Sequence, residues 1–116
     1  MADEEPRTRP SPTDAMVKLG GDPDRLLRGE DPQTEYVDDA RHWVAVYHEL
    51  LDFKQDMLGR ARGELGHISE SAQQEVLDTD LPLMEAEAQR FEHRIRFWMG
   101  RLEELESSQG GRSGRG

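Results

Sequence analysis

Residues 36–65 read YVDDARHWVAVYHELLDFKQDMLGRARGEL and carry two hydrophobic rows on one predicted helix. The first row follows the alternating spacing of three and four residues that keeps one side of a helix against a partner. It comprises Val37, Ala40, Val44, Tyr47, Leu51, Leu58, Ala61 and Leu65, with Lys54 as its one interruption. The second row, on the neighbouring side, comprises Tyr36, Trp43, Val46, Leu50, Phe53 and Met57. Together the rows span an arc of roughly 160°, which is more than one partner helix covers.

A second row of matching length follows and suits the first row of the helix before it. It comprises Leu77, Leu81, Met84, Ala88, Phe91, Ile95, Trp98, Leu102 and Leu105. Between the two helices, Gly66 is typical of a helix end, and Ser69 or Ser71 of the next N-cap. A short loop between long amphipathic helices makes them antiparallel neighbours. The sequence therefore predicts an all-α fold, an antiparallel two-helix hairpin over residues 34–107, with a kink or brief interruption at Pro82.

The flanking segments have weaker signals. Residues 1–21 contain three prolines and no hydrophobic period, and predict a disordered N-terminal arm. Residues 22–33 begin with Asp22 and Pro23 and include Gly29, the layout of a short capped helical segment followed by a linker. Residues 108–116 are rich in Gly, Ser and Arg and predict a flexible tail.

Composition favours association with another chain. The 116 residues are 34% hydrophobic and 34% charged, with a net charge of −10, so the core is thin. Burial of large side chains contributes roughly 1.5 to 3 kcal/mol each, whereas ordering a residue costs roughly 1 to 2 kcal/mol in backbone entropy. A hairpin closed by the first row alone would therefore be only marginally stable. We expect dimerisation into a four-helix bundle, or a different protein partner, on the second row.

Several classes of function are disfavoured. Affinity for nucleic acid is built from clustered Lys and Arg, and this chain is acidic, so we expect no nucleic-acid partner. It has no cysteine and no apolar run of about 20 residues, which predicts a cytoplasmic protein without a membrane contact. His42 and His48 stand near carboxylates, but the Glu-x-x-His pairs of bundle metal sites are missing. We expect no enzyme activity, no metal and no cofactor.

The polar residues beside the second helix's row have a simple interpretation. Arg90, Arg94 and Arg101, with Glu87 and Glu92, occupy flanking positions that select partners in coiled coils. Exposed pairs of this kind contribute little, so we interpret these residues as a solvated face. Trp98 and Phe91 are expected in the core.

Two segments, YHELLDFKQDMLGRARGEL (47–65) and RFEHRIRFWMGRL (90–102), resemble the two helices of the cyclic-di-GMP-responsive anti-sigma factors of actinobacteria. The resemblance implies an antiparallel coiled coil and a transcription factor such as a sigma factor as partner. At the positions of that family's ligand residues, counted back from Asp56, this chain has Arg41, Ala45, His48 and Asp52. The resemblance thus implies partner binding without the dinucleotide. Two further segments, TDLPLMEAEAQRFEHRIRFW (79–98) and RHWVAVYHELLDFK (41–54), also resemble small actinobacterial helical-hairpin proteins of uncharacterised function.

The sequence therefore predicts a non-enzymatic protein–protein interaction module, either a homodimeric scaffold or a regulator of a transcription factor. Its predicted partner-binding residues are those of the second row: Tyr36, Trp43, Val46, Leu50, Phe53 and Met57. The alternative is a small-ligand sensor that binds a nucleotide or a metal between helices.

Overall fold

A computed structural model of the chain describes the backbone of residues 12–115 and the side chains of residues 14–108. All regular structure within these bounds is helical, so the predicted all-α class is confirmed. A short 3-10 helix (Leu65–His67) and a π-helical turn (Val76–Asp80) interrupt the α-helices. The α-helices of the described residues are α1 (Pro12–Gly20), α2 (Val37–Glu64), α3 (Glu70–Glu75) and α4 (Leu81–Arg115).

The first hydrophobic row is the side of α2 that packs against α4. Its buried members are Val37, Ala40, Tyr47 and Leu58. The interruption at Lys54 is accommodated because its Nζ lies 3.0 Å from Glu87 of α4, where the two side chains are 16% and 25% exposed. A lysine in this row therefore keeps a charged partner while its aliphatic stem packs beside the core.

The row on α4 lies opposite. Its buried members are Leu81, Ala88, Phe91, Ile95, Trp98 and Leu105. Leu77, which was predicted to begin this row, is instead 48% exposed. It falls in the π-helical turn, whose wider spacing breaks the three-and-four register.

Within residues 14–108, two clusters of buried residues hold α2 against α4. We call the larger one the main core; it consists of Val37, Ala40, Tyr47, Phe91, Ile95, Trp98 and Leu105. The smaller cluster, nearer the turn, consists of Leu58, Leu81 and Ala88. Among the described side chains, ion pairs join the helices in reverse sequence order: Arg41 with Glu106, Lys54 with Glu87, and Arg62 with Glu85. The two helices therefore run in opposite directions.

The connection between α2 and α3 is closed by polar side chains. Ser69 is the N-cap of α3, and its Oγ accepts the Ala72 N–H at 3.2 Å. Gln73 Nε2 donates to the carbonyl oxygens of Leu65 (2.6 Å) and Ile68 (3.2 Å). These bonds satisfy carbonyl groups that a helix end leaves without partners.

The interruption predicted at Pro82 takes the form of the π-helical turn just before it. Proline has no N–H and its ring crowds the carbonyl four residues earlier, at Asp78. The Leu81 N–H donates to the carbonyl of Val76, five residues back, so the turn is widened where the α-helical ladder would be blocked. The helical path continues into α4 without a fold boundary.

The flanking predictions need correction. Residues 12–20 belong to α1 and not to a disordered arm, while residues 1–11 lie outside the described residues. Pro12 opens α1, Asp14 stands in its first turn and Lys18 in its last, as the helix dipole favours. The end of α1 docks closely on α4, since a Cβ added at Gly20 would lie 3.2 Å from Leu83 Cδ1.

The segment predicted as a capped helix over residues 22–33 is not helical. Asp22 and Asp31 each accept the backbone N–H two residues later, at 2.9 Å, and these local bonds compete with a helix. Thr34 Oγ1 accepts the Tyr36 N–H and donates to Asp39, so α2 starts at Val37 and not at residue 34. We call residues 21–36 the strap.

The predicted flexible tail is also corrected as far as residue 115. The α4 helix continues through Arg115, because each further residue adds one hydrogen bond to a helix already nucleated. Gly116 lies outside the described residues.

Candidate partner-binding surface

The six residues of the second row do not share one environment. Tyr36 and Phe53 are 70% and 63% exposed. Val46 and Met57 are half-buried on α2. Trp43 and Leu50 are also half-buried and pack against the main core, and the Trp43 ring centroid lies 6.5 Å from that of Tyr47. The row therefore has two exposed aromatic side chains, near its two ends, and an inner pair that the protein itself partly covers.

The strap also contributes a side chain to the main core. Leu27 packs against the same main core as Trp43 and Leu50. Leu26, its neighbour, stays 41% exposed. One leucine of the strap thus joins the main core, whereas its neighbour does not.

A buried carboxylate, Glu30, fastens the strap to both long helices. Its Oε1 accepts the Tyr47 hydroxyl of α2 at 2.5 Å and the Leu27 N–H at 2.8 Å. Its Oε2 accepts Arg94 Nη2 at 2.6 Å and Trp98 Nε1 at 2.7 Å, both from α4. The Glu30 side chain has no exposed surface. Its charge is balanced by Arg94, whose side chain is 5% exposed. Four donors and one opposite charge are what a buried carboxylate requires.

Arginines of α4 bind backbone carbonyl oxygens of the strap and, at Gly20, of the end of α1. Arg90 Nε donates to the Gly20 carbonyl at 3.1 Å, and its Nη1 to Arg25 at 3.2 Å. Arg94 Nη1 donates to the Pro23 carbonyl, and Arg101 Nη2 to that of Thr34. The prediction that these arginines form a solvated face is wrong: Arg90 and Arg94 are each 4% exposed and Arg101 is half-buried. They hold a segment without regular structure along α4.

The environment of Glu30 shifts the acid–base behaviour of its neighbours. Burial by itself raises the pKa of Glu30, but the hydrogen bonds from Tyr47, the Leu27 N–H, Trp98 and Arg94 outweigh it and lower the pKa. Burial, together with the hydrogen bond to Glu30 and the negative charge there, raises the pKa of Tyr47 to about 12. Burial and the nearby charge of Arg25 lower the pKa of Arg90. Glu30 is therefore held ionised and Tyr47 protonated at neutral pH.

Sequence reasoning missed Glu30 because a single glutamate in a linker has no periodicity to mark it. The arginines carried a weak signal. Arg90, Arg94 and Arg101 repeat at four and seven residues, which places them on one side of α4 next to Trp98. A row of arginines bordering a core tryptophan is also compatible with a buried contact to another segment.

The histidines do not form a ligand cluster. His42, His48, His67 and His93 are all exposed, and the His42 ring lies edge-on to Trp43 with 4.8 Å between centroids. Asp39, one of the carboxylates near His42 in sequence, is engaged by Thr34 at 2.6 Å. Over residues 14–108, no three His, Asp or Glu side chains come together as a metal site would require.

The concave surfaces are open. A groove of about 680 Å³ lies between α1 and α4, bordered by Val17, Leu19, Pro23 and Ala86, with Lys18 and Asp22 as its charged residues. A smaller depression of about 360 Å³ lies between α2 and α4, beside Arg62 and Glu85. Arg62 and Glu85 pair with each other at 2.6 Å. These charges are therefore already matched within the chain.

No helix in the described part of the chain is long and apolar enough to cross a membrane. No protein-family model matches the chain, and neither a curated protein nor a solved structure shows significant similarity to it.

Proposed function

We propose that the protein is a non-enzymatic protein–protein interaction module whose antiparallel α2–α4 hairpin presents the second row of α2 to a partner. Two roles fit such a module: a homodimeric scaffold, closed as a four-helix bundle, or a regulator of a transcription factor such as a sigma factor. One observation carries the proposal. Phe53 is 63% exposed although Leu50, three residues before it on the same row, packs on the main core.

An exposed aromatic side chain that continues a core row is a good anchor for a partner. Covering a phenylalanine is worth roughly 1.5 to 3 kcal/mol at full burial. Truncating an aromatic anchor in a desolvated interface typically costs about 2 kcal/mol or more. Because Phe53 makes little use of this free energy within the chain, a partner that covers it gains most of the benefit.

The test compares two substitutions of exposed apolar side chains. Phe53→Ser removes the proposed anchor, whereas Met99→Ser changes a side chain of α4 that is 52% exposed and lies outside the second row. Both variants should keep the helical circular dichroism spectrum and change the free energy of unfolding by less than roughly 0.5 kcal/mol. Only Phe53→Ser should abolish self-association in sedimentation, or capture of a partner from the source cell.

Trp43 is less suitable for this test. Because it packs against the main core, Trp43→Ser should lower stability as well as binding. A wild-type protein that stays monomeric at high concentration and captures no partner would contradict the proposed function. The same conclusion would follow if Phe53→Ser and Met99→Ser reduced association equally.

A further inference from the structure

Two parallel rows with different chemistry run along the outer side of α2. Apolar residues follow each other at spacings of four, three and four: Val46, Leu50, Phe53 and Met57. Beside them, at spacings of three and four, stand the carboxylates Glu49, Asp52 and Asp56. Residues three or four apart share a helix face, so Phe53 has Leu50 and Met57 on one side and Glu49 and Asp56 on the other.

The carboxylates of this acidic row face solvent. Glu49, Asp52 and Asp56 are all exposed. Asp56 pairs with Arg60 at 3.0 Å, one turn further along, where both side chains are more than half exposed. The nearest other base in sequence, Lys54, is held by Glu87 across the α2–α4 contact. Among the side chains that the structure describes, bases of α2 and α4 thus balance only part of the negative charge beside Phe53.

The acidic row indicates which kind of partner can bind beside Phe53. A second copy of the chain would bring its own Glu49, Asp52 and Asp56 towards the same row, and the whole chain carries a net charge of −10. Like charges placed together across an interface disfavour association, whereas opposite charges fix the register and speed the encounter. A basic partner gains from the acidic row and a second copy does not.

Resting on the proposed function, we propose that Phe53 and the carboxylates Glu49, Asp52 and Asp56 dock a basic amphipathic helix of another protein. The apolar row of that helix covers Phe53, Leu50 and Met57. Its Lys or Arg side chains form a second row, next to the apolar row, and pair with the three carboxylates.

The test uses the full chain and two synthetic helical peptides. Both peptides carry the same row of leucines; one has a neighbouring row of lysines and the other has glutamates there. Isothermal titration calorimetry should show binding of the lysine peptide and at least roughly tenfold weaker binding of the glutamate peptide, as expected for three exposed ion pairs. The affinity for the lysine peptide should fall as salt is added.

A charge-reversed variant provides the second measurement. Glu49→Lys, Asp52→Lys and Asp56→Lys together should invert the preference between the two peptides. The control has the same change in net charge and carries Glu75→Lys, Glu92→Lys and Glu103→Lys, which alter exposed carboxylates outside the acidic row. This control should keep the preference for the lysine peptide.

Three results would overturn the inference: no binding of the lysine peptide, equal affinity for both peptides, or the same effect in both charge-reversed variants. Its failure can be separated from failure of the proposed function. Suppose that no peptide binds, that the wild type self-associates and that Phe53→Ser prevents this self-association. The proposed interaction module is then retained, and its partner is a second copy of the chain. If Phe53→Ser changes neither peptide binding nor self-association, both proposals fail.

Discussion

Glu30 and Arg94 form an ion pair in which the carboxylate side chain is 0% exposed and the guanidinium side chain 5% exposed, with Oε2 and Nη2 2.6 Å apart. The two residues are separated by 64 positions in the chain. The contact joins the strap to α4, and the same carboxylate reaches Tyr47 of α2. This one side chain therefore links three segments of the fold.

We expect Glu30→Ala to be among the most destabilising single substitutions in the chain. It would leave the Arg94 charge buried without its partner, which typically costs about 3 to 5 kcal/mol. The control is Glu106→Ala, which breaks the exposed pair with Arg41 and should cost less than about 1 kcal/mol. Urea denaturation of both variants measures the difference. Equal effects would show that the buried pair does not hold the strap.

The contribution of Glu30 to the free energy of unfolding should depend on pH in the acid range. Because its folded-state pKa lies below the ordinary value of 4.5, the stabilisation is fully present above about pH 4.5. It is lost as the pH falls through the lowered folded-state value. We expect the free energies of unfolding of wild type and Glu30→Gln to converge as the solution is acidified below pH 4.5. A constant difference across the acid range would contradict the assigned ionisation.

Two glycines offer a test of backbone conformation alone. A Cβ added at Gly29 or at Gly59 would meet no atom within 4 Å, but Gly29 has a φ of +85° in the strap whereas Gly59 lies within α2. Gly29→Ala should destabilise by about 1 kcal/mol, because L-residues are disfavoured at positive φ. Gly59→Ala should stabilise by roughly 1 kcal/mol through helix propensity. Thermal melts test this prediction. A change of melting temperature with the same sign in both variants would contradict it.

The antiparallel hairpin can be tested with distance measurements. The chain has no cysteine, so spin labels attach only where cysteine is introduced. Labels at Arg41→Cys with Glu106→Cys, and at Arg62→Cys with Glu85→Cys, should lie within roughly 20 Å, since packed helix axes are 8 to 10 Å apart. As a control, Arg41→Cys with Glu75→Cys should give a distance beyond about 30 Å, because more than twenty residues of α2 separate these levels.

The two cross-helix distances and the control distance together distinguish the possible arrangements of the helices. Long distances at positions 41/106 and 62/85 would exclude the hairpin. A short distance for the control pair would indicate a folded-back arrangement of α3 instead.

Much of the fold could be predicted because its signals are local. The three-and-four spacing from Val37 to Leu65 specifies a helix and its buried side, and Ser69 marks the next helix start by capping chemistry. The effect of Pro82 also follows from its own ring and missing N–H. Each of these features acts within a few residues of its position, so the sequence alone indicated α2, α3 and most of α4. It missed α1 and the last turns of α4.

The strap and its fastening were decided by tertiary structure. Arg90 meets the Arg25 carbonyl across 65 positions, and Trp98 meets Glu30 across 68. Such contacts leave no periodicity, because carbonyl oxygens accept from any donor whatever residue carries them. Whether Arg94 is solvated or buried depends on where the strap lies. Only the packing of distant segments fixes that position.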